Sequence, residues 1–395
     1  MFDDELEEVE PTGATPGWVP DGFTWGVATS SLHSEGAAPA ADWAGWEADG
    51  HAPPSGDGNG FDVHHREDFR LLGEVGFGAV RLTLEWARLE PKRADRLDRD
   101  EIERYRLILA AAHAAGLDVW VCLAHGTFPG WFSEDERGFL DERMARRVWP
   151  AHVDRVAEAF GDLVDGWFTI HEPVRYALDA WLNARRPPGR HSVDDAGTGL
   201  RALQHADAQA AGLLRGGAAP VASSEWLPPI YALDPTPAGR RAAAEAEDLL
   251  WRSWADPERL EAWDLVGLSC SHAVAVAPDG SFHPWPRGTE PGPLGWAPWA
   301  PALGETLHRV ADELADRELI VAATGAVDVD EGRRADTTRG LASELRQAVE
   351  DGVKVRGCFW WSAIDGYEEP VGFAARSGML DRDRTPTLTL RSLSG

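Results

Sequence analysis

The chain has 395 residues, 43% of them hydrophobic, and its 66 acidic residues against 38 basic ones give a formal net charge of −28. Charge of that sign and size repels nucleic acid and anionic membranes, so neither is an expected partner, while the apolar content suffices for a large core. No apolar run approaches the ~20 residues of a spanning helix, and the start, MFDDELEEVE, lacks the apolar stretch of a secretory signal.

Residues 1–17, acidic and poor in apolar side chains, are expected to be disordered, and 18–395 to form one domain. From there short apolar, β-rich runs alternate with longer Ala-rich amphipathic runs. Strands are predicted at 23–30 (FTWGVATS), 79–86 (AVRLTLEW), 118–125 (DVWVCLAH), 166–173 (GWFTIHEP), 219–226 (APVASSEW), 263–272 (WDLVGLSCSH), 318–325 (ELIVAATG) and 355–362 (VRGCFWWS). Helices are predicted between them, near 65–76, 99–115, 143–161, 198–215, 238–253, 300–315 and 335–351. Eight strands separated by helices predict an α/β fold, a closed parallel (β/α)₈ barrel. An open doubly wound sheet usually has fewer strands and a Gly-rich first turn, and no G-x-G-x-x-G occurs here. There is no internal repeat or low-complexity tract.

Several strands end in polar or aromatic residues: His125, His171–Glu172, Glu225–Trp226 and Trp361–Ser362. The carboxyl ends of barrel strands carry the active site. The segments 31–62, 126–142, 174–197 and 273–299, rich in Trp, Pro and Gly, are expected to wall that face. The 19 tryptophans suit stacking on sugar rings, although burial in core and loops accounts for them equally well. Cys122, Cys270 and Cys358 have no ligand spacing and read as core residues of a protein in a reducing, cytoplasmic setting. Lys92 and Lys354 are the only lysines. Self-repulsion at −28 is screened at molar salt, which suggests a halophilic protein. A GC-rich genome would also favour Arg over Lys.

Five segments, in order and at barrel-strand spacing, resemble glycoside hydrolase family 1, the β-glucosidase and β-galactosidase-like family, in a divergent haloarchaeal-type form. Phe23 to Gly36 is similar to F-x-W-G-x-A-T-[SA]-x-x-Q-x-E-G, and Arg81 to Arg88 to R-F-S-x-x-W-x-R. His125 to Pro129 resembles H-W-x-x-P, Trp167 to Pro173 resembles W-F-T-x-N-E-P, and Trp361 to Glu368 resembles W-S-x-x-D-N-[FY]-E. Retaining hydrolysis uses one carboxyl as acid/base and a second, about 5 Å away, as nucleophile. The resemblance makes Glu172 the acid/base. It places the nucleophile within Val321-Ala-Ala-Thr-Gly325, where Ala323 stands instead of glutamate, removing the covalent step.

By the same resemblance, the sugar-binding positions are His33 (for Gln), Arg81, His125, His171 (for Asn), Ser271 (for Tyr), Trp361, Glu368 and Glu369 (for Trp). Gly126 replaces the family's tryptophan after His125. Three readings follow. The first is an enzyme acting on O-glycosidic bonds of small β-glycosides by a non-standard mechanism, with Asp328, Glu225, Glu85 or an anion as substitute nucleophile. The second is a sugar-binding protein without turnover. The third is a metal-dependent activity, with His33, His125 and His171 beside Glu172, against which each histidine can instead serve a sugar hydroxyl. No cofactor is expected, and the partner is a small glycoside or sugar. Glu85 is expected to pair with Arg81 or Arg88. The sequence does not specify the sugar, the linkage or the oligomeric state.

Overall fold

The structure is a computed structural model that describes residues 15–93, 95–135 and 137–393. Most of the expected disordered segment lies outside these residues. At its described end Thr15 Oγ1 donates to the Gly76 carbonyl at 3.2 Å, and the Val19 amide closes a turn on the Pro16 carbonyl.

Eight parallel strands form the barrel: β1 (Thr24–Ala28), β2 (Ala79–Thr83), β3 (Asp118–Ala124), β4 (Gly166–Ile170), β5 (Val221–Ala222 and Glu225–Trp226), β6 (Val266–Ser269), β7 (Leu319–Thr324) and β8 (Val355–Trp361). All eight predicted strands are present, and each gap between strands is spanned by helix. The long helices are Phe61–Glu74, Arg99–Ala114, Glu142–Phe160, Val193–Leu214, Pro237–Glu247, Pro301–Glu313 and Glu331–Glu350, with a short Leu388–Ser392 at the end. Starts are set by capping side chains: Asp98, Asp141, Ser192, Thr236 and Asp330 each accept a hydrogen bond from a first-turn amide. Among the described residues no helix is long and apolar enough to cross a membrane.

Alternation along the strands builds two apolar layers. Trp120, Cys122, Phe168, Ile320, Ala322 and Phe359 fill the barrel interior. Their neighbours Val119, Val121, Trp167, Val321, Cys358 and Trp360 face the helices. Strands buried on both faces are why the sequence shows continuous apolar runs rather than alternation with polar residues. All three cysteines are buried and unpaired.

Closure depends on β5, which is interrupted at Ser223–Ser224 yet bonded along both edges, since the Val221 carbonyl also accepts from the Asp264 and Leu265 amides. Its first half pairs with β4 (Trp167↔Val221, Phe168↔Ala222) and its second half with β6 (Glu225↔Leu268, Trp226↔Ser269). Ser223 bridges the break, since its Oγ donates to the Gly267 carbonyl at 3.0 Å and accepts from the Gly267 amide at 2.9 Å. A Cβ at Gly267 would collide with the Ser223 carbonyl oxygen. Gly267→Ala is therefore expected to destabilise the protein by about 3 kcal/mol by overpacking this seam, read as a lower denaturant midpoint. An unchanged midpoint would show that the seam yields.

β7 carries a second irregularity. Its register shifts against both neighbours between Val321 and Ala323–Thr324. The Ala322 carbonyl, turned from the ladder, accepts from Arg81 Nη1 at 2.5 Å. Bulges of this kind re-aim side chains next to sites. A three-stranded sheet of Ile230–Ala232, Ala273–Val276 and Phe282–Trp285 lies beside the barrel mouth.

Candidate active site

The carboxyl ends of the strands open into a cavity of about 870 Å³. His33, His125, His171, Glu172, Ser271, Ala323, Trp361, Glu368 and Glu369 all line it. Arg81 does not. It is fully buried beneath the floor, donating to the Ala322 carbonyl and, at 2.8 Å, to His125 Nδ1. From there it supports the cavity floor.

Glu172 follows β4 in a left-handed conformation, φ 49° and ψ 56°, which costs a non-glycine residue about 1–2 kcal/mol. The break in β5 helps hold it there. The Ser224 carbonyl accepts from the Glu172 amide at 2.7 Å, and Ser224 Oγ lies 2.7 Å from His171 Nδ1. The carboxylate accepts from Ser269 Oγ and, at 3.0 Å, from Arg175 Nη1. His171 Nε2 is 3.6 Å away. Burial pushes this carboxyl up, but the Arg175 charge, the adjacent imidazole and both hydrogen bonds outweigh it and hold the group down at about 2. An acid/base catalyst needs a raised value, near working pH. Here Glu172 is a carboxylate throughout the neutral range.

His33, His125 and His171 come together as neutral rings. Burial, reinforced by nearby arginine charges, lowers His33 to about 3 and takes His125 and His171 well below the ordinary value. Arg81 can only donate, so His125 Nδ1 is the acceptor and its proton sits on Nε2. The His125 and His171 rings stack, centroids 4.0 Å apart and planes 28° from parallel. Lone pairs lie in the ring planes, so stacked imidazoles do not converge on one ion. Among the described residues no group of three His, Cys, Asp or Glu side chains is arranged to hold a metal.

Trp361 stacks on the other face of His125, with centroids 5.3 Å apart, and its Nε1 donates to Glu368 Oε1 at 3.0 Å. Burial lifts Glu368 to about 7 despite that bond. A carboxyl raised in the folded state costs stability as pH climbs from its unfolded value to its folded one, because only the unfolded chain releases the proton freely. Glu368→Gln removes that cost. Relative to wild type it is expected to gain about 3 kcal/mol between pH 4.5 and pH 7.5, measured by denaturation at both. A pH-independent difference would place Glu368 in the ordinary carboxylate range.

Ala323 is the penultimate residue of β7, 8% exposed, opposite Ser269 in register. Ser271 Oγ accepts from the Gly325 amide at 3.1 Å. The proposed substitute nucleophiles are otherwise engaged. Asp328 lines the cavity but is paired with Arg333 at 2.5 Å and accepts from the Asp330 amide. Glu225 is 1% exposed and lies behind the cavity wall. Glu85 accepts from Ser31 at 2.5 Å and Thr127 at 2.8 Å. The expected pairing of Glu85 with Arg81 or Arg88 is corrected, since Arg88 pairs with Glu35 at 3.2 Å. Hydroxyls from neighbouring loops reach Glu85 first.

Several cavity residues went unread in the sequence. Arg175 stands three residues after Glu172, a spacing that signals an ion pair on a helix. Ser269 ends β6. Arg186 arrives from the loop after β4 and pairs with Glu369. Toward the mouth, Trp296 stacks on His272 at 4.6 Å, with Trp226 alongside.

The model of Glycosyl hydrolase family 1 matches residues 15–260 and 286–392. The chain is 27% identical over 420 residues to Beta-glucosidase A of Thermotoga maritima, covering 91% of this chain and 92% of that one. It is 26% identical to a 1,4-beta-D-glucan glucohydrolase of Thermotoga neapolitana, covering 91% and 97%. A beta-glycosidase from Pyrococcus horikoshii superposes with a TM-score of 0.85 at 26% identity, over 95% and 93% of the two chains. The residues between the matched stretches, 261–285, hold β6 with Ser269, and His272.

Proposed function

Since the chain belongs to glycosyl hydrolase family 1, we propose that its cavity binds the sugar ring of a small β-glycoside, and that retaining double displacement is not its chemistry. The observation that carries this reading is the grip of Arg175 and Ser269 on Glu172. It keeps the acid/base position ionised, while position 323 offers a methyl group in place of a second carboxyl. Neither half of the two-carboxylate reaction is then in place.

The remaining groups suit recognition. Glu172 accepts a sugar hydroxyl, His125 Nε2–H donates one, and Glu368 with its proton does either. Trp361 offers an indole beside the ring. Relatives named as β-glucosidases and the aromatic mouth point to a small β-glycoside as ligand. The acidic composition favours work at molar salt in a cytoplasm.

The test is a pair of measurements in molar potassium chloride. Methyl β-D-glucoside, methyl β-D-galactoside and cellobiose are titrated against thermal unfolding, and p-nitrophenyl β-D-glucoside is assayed for release of nitrophenol. Saturable stabilisation with negligible release is the expected result. A burst of nitrophenol that Glu172→Gln abolishes would overturn it. A second reading rests on Ala323 opening onto the cavity. A small anion entering there would attack an activated glycoside, so azide or formate would accelerate release in proportion to its concentration.

A further inference from the structure

We propose that the Arg186–Glu369 ion pair, seated over Gly126, is the specificity determinant of the cavity and reads two adjacent hydroxyls of an uncharged sugar ring. This rests on the functional reading above and names the ligand class for it.

Positions 126 and 369 are where the motifs described above carry tryptophan. In this chain one is glycine, the other glutamate, and the structure places both against one arginine. Arg186 Nη1 donates to the Gly126 carbonyl at 2.9 Å, and Nη2 donates to Glu369 Oε2. The guanidinium also lies over the Tyr176 ring, 5.3 Å from its centroid. Gly126 has φ +84°, and a Cβ there would overlap the guanidinium itself. Any side chain at 126 would have to displace the guanidinium from its present place, and the acid at 369 neutralises it. Two stacking faces have been exchanged for one internal salt bridge.

The pair is mostly buried, 15% and 16% exposed, yet both members line the cavity with Gly126. Arg186 spends two of its five N–H bonds on these partners, and Glu369 keeps lone pairs free. Vicinal hydroxyls match that edge, since one oxygen accepts from the guanidinium while the neighbouring O–H donates to the carboxylate. An anionic ligand fits badly. To bind Arg186 it would displace Glu369 and leave a buried carboxylate without a partner, with Glu172 also ionised nearby. Removal of one hydroxyl from a site built to bond it typically strands the protein groups and is punished heavily.

The experiment measures binding of methyl β-D-glucoside, its 2-, 3-, 4- and 6-deoxy analogues, methyl β-D-glucuronide and glucose 6-phosphate by calorimetry. It compares the wild type with Arg186→Lys and Glu369→Gln. In the wild type two deoxy analogues, at adjacent carbons, are expected to bind at least tenfold more weakly than the parent, and both anions weakly. Each variant is expected to erase those two penalties and leave the others unchanged. Circular dichroism and thermal unfolding confirm that both conservative variants fold. Unchanged penalties in folded variants overturn the assignment, as does tighter binding of the glucuronide or phosphate. If the wild type binds no sugar at all, the functional reading falls and takes this one with it. If it binds sugars but discrimination is indifferent to both variants, this inference alone falls.

Discussion

Ala323→Glu combined with Arg175→Met is expected to raise hydrolysis of p-nitrophenyl β-D-glucoside by about a thousandfold over wild type, within the range a working acid/base group supplies. The two changes address different deficits. Glutamate at 323 supplies the group that captures the anomeric carbon. Removing Arg175 releases Glu172 from the charge that holds it at about 2, and the new carboxylate then pushes it up through like-charge repulsion. Each single variant leaves one deficit, so neither alone is expected to gain more than about tenfold. Adding Glu172→Gln to the double variant should abolish the gain, and its rate should follow a bell-shaped pH profile. If the folded double variant stays at the wild-type rate, the ion pair with Arg175 is not what keeps Glu172 from acting as an acid. Losing Arg175, which is a third exposed, should also cost about 2 kcal/mol of stability.

Gly126→Ala is expected to cost about 4 kcal/mol of stability. The added Cβ meets Arg186 and adopts a left-handed backbone conformation at φ +84°. Displacing the guanidinium leaves Glu369 buried without its partner, and most of the loss comes from that stranded charge. The check is a triple variant, Gly126→Ala with Arg186→Ala and Glu369→Ala. It carries no unpaired charge and is expected to lose less than Gly126→Ala alone, a non-additivity visible in equilibrium denaturation. Additive losses would mean that the pair does not act as a unit.

The barrel was legible because its strands are buried on both faces. Runs such as Asp118–Ala124 and Leu319–Thr324 have little alternative once Ala-rich helices flank them. The polar residues closing those runs, His125 and His171–Glu172, were legible as cavity residues for the same reason, since chain direction sends every strand end to one mouth. What the residue pattern could not convey was how neighbouring elements answer one another. Arg186 reaches the site from a loop with no periodicity, and its partner Glu369 lies 183 positions away. Glu85 took hydroxyls from Ser31 and Thr127, which arrive from other strand ends, rather than the arginines nearest in sequence. The histidines were expected to meet, but the sequence did not show that His125 and His171 meet by stacking.

The break in β5 has a consequence for how the site comes into being. Ser224 anchors the Glu172 amide on one side, while the second half of β5 holds β6, which brings Ser269 to the Glu172 carboxylate. The contacts cross the two seams on either side of β5, so the cavity is complete only when both seams are formed. The Glu172 amide proton is thereby a reporter of cylinder closure. Its exchange with solvent deuterium should be as slow as the most protected strand amides and require opening on the global scale, whereas amides of the outer mouth sheet should exchange through cheaper local openings.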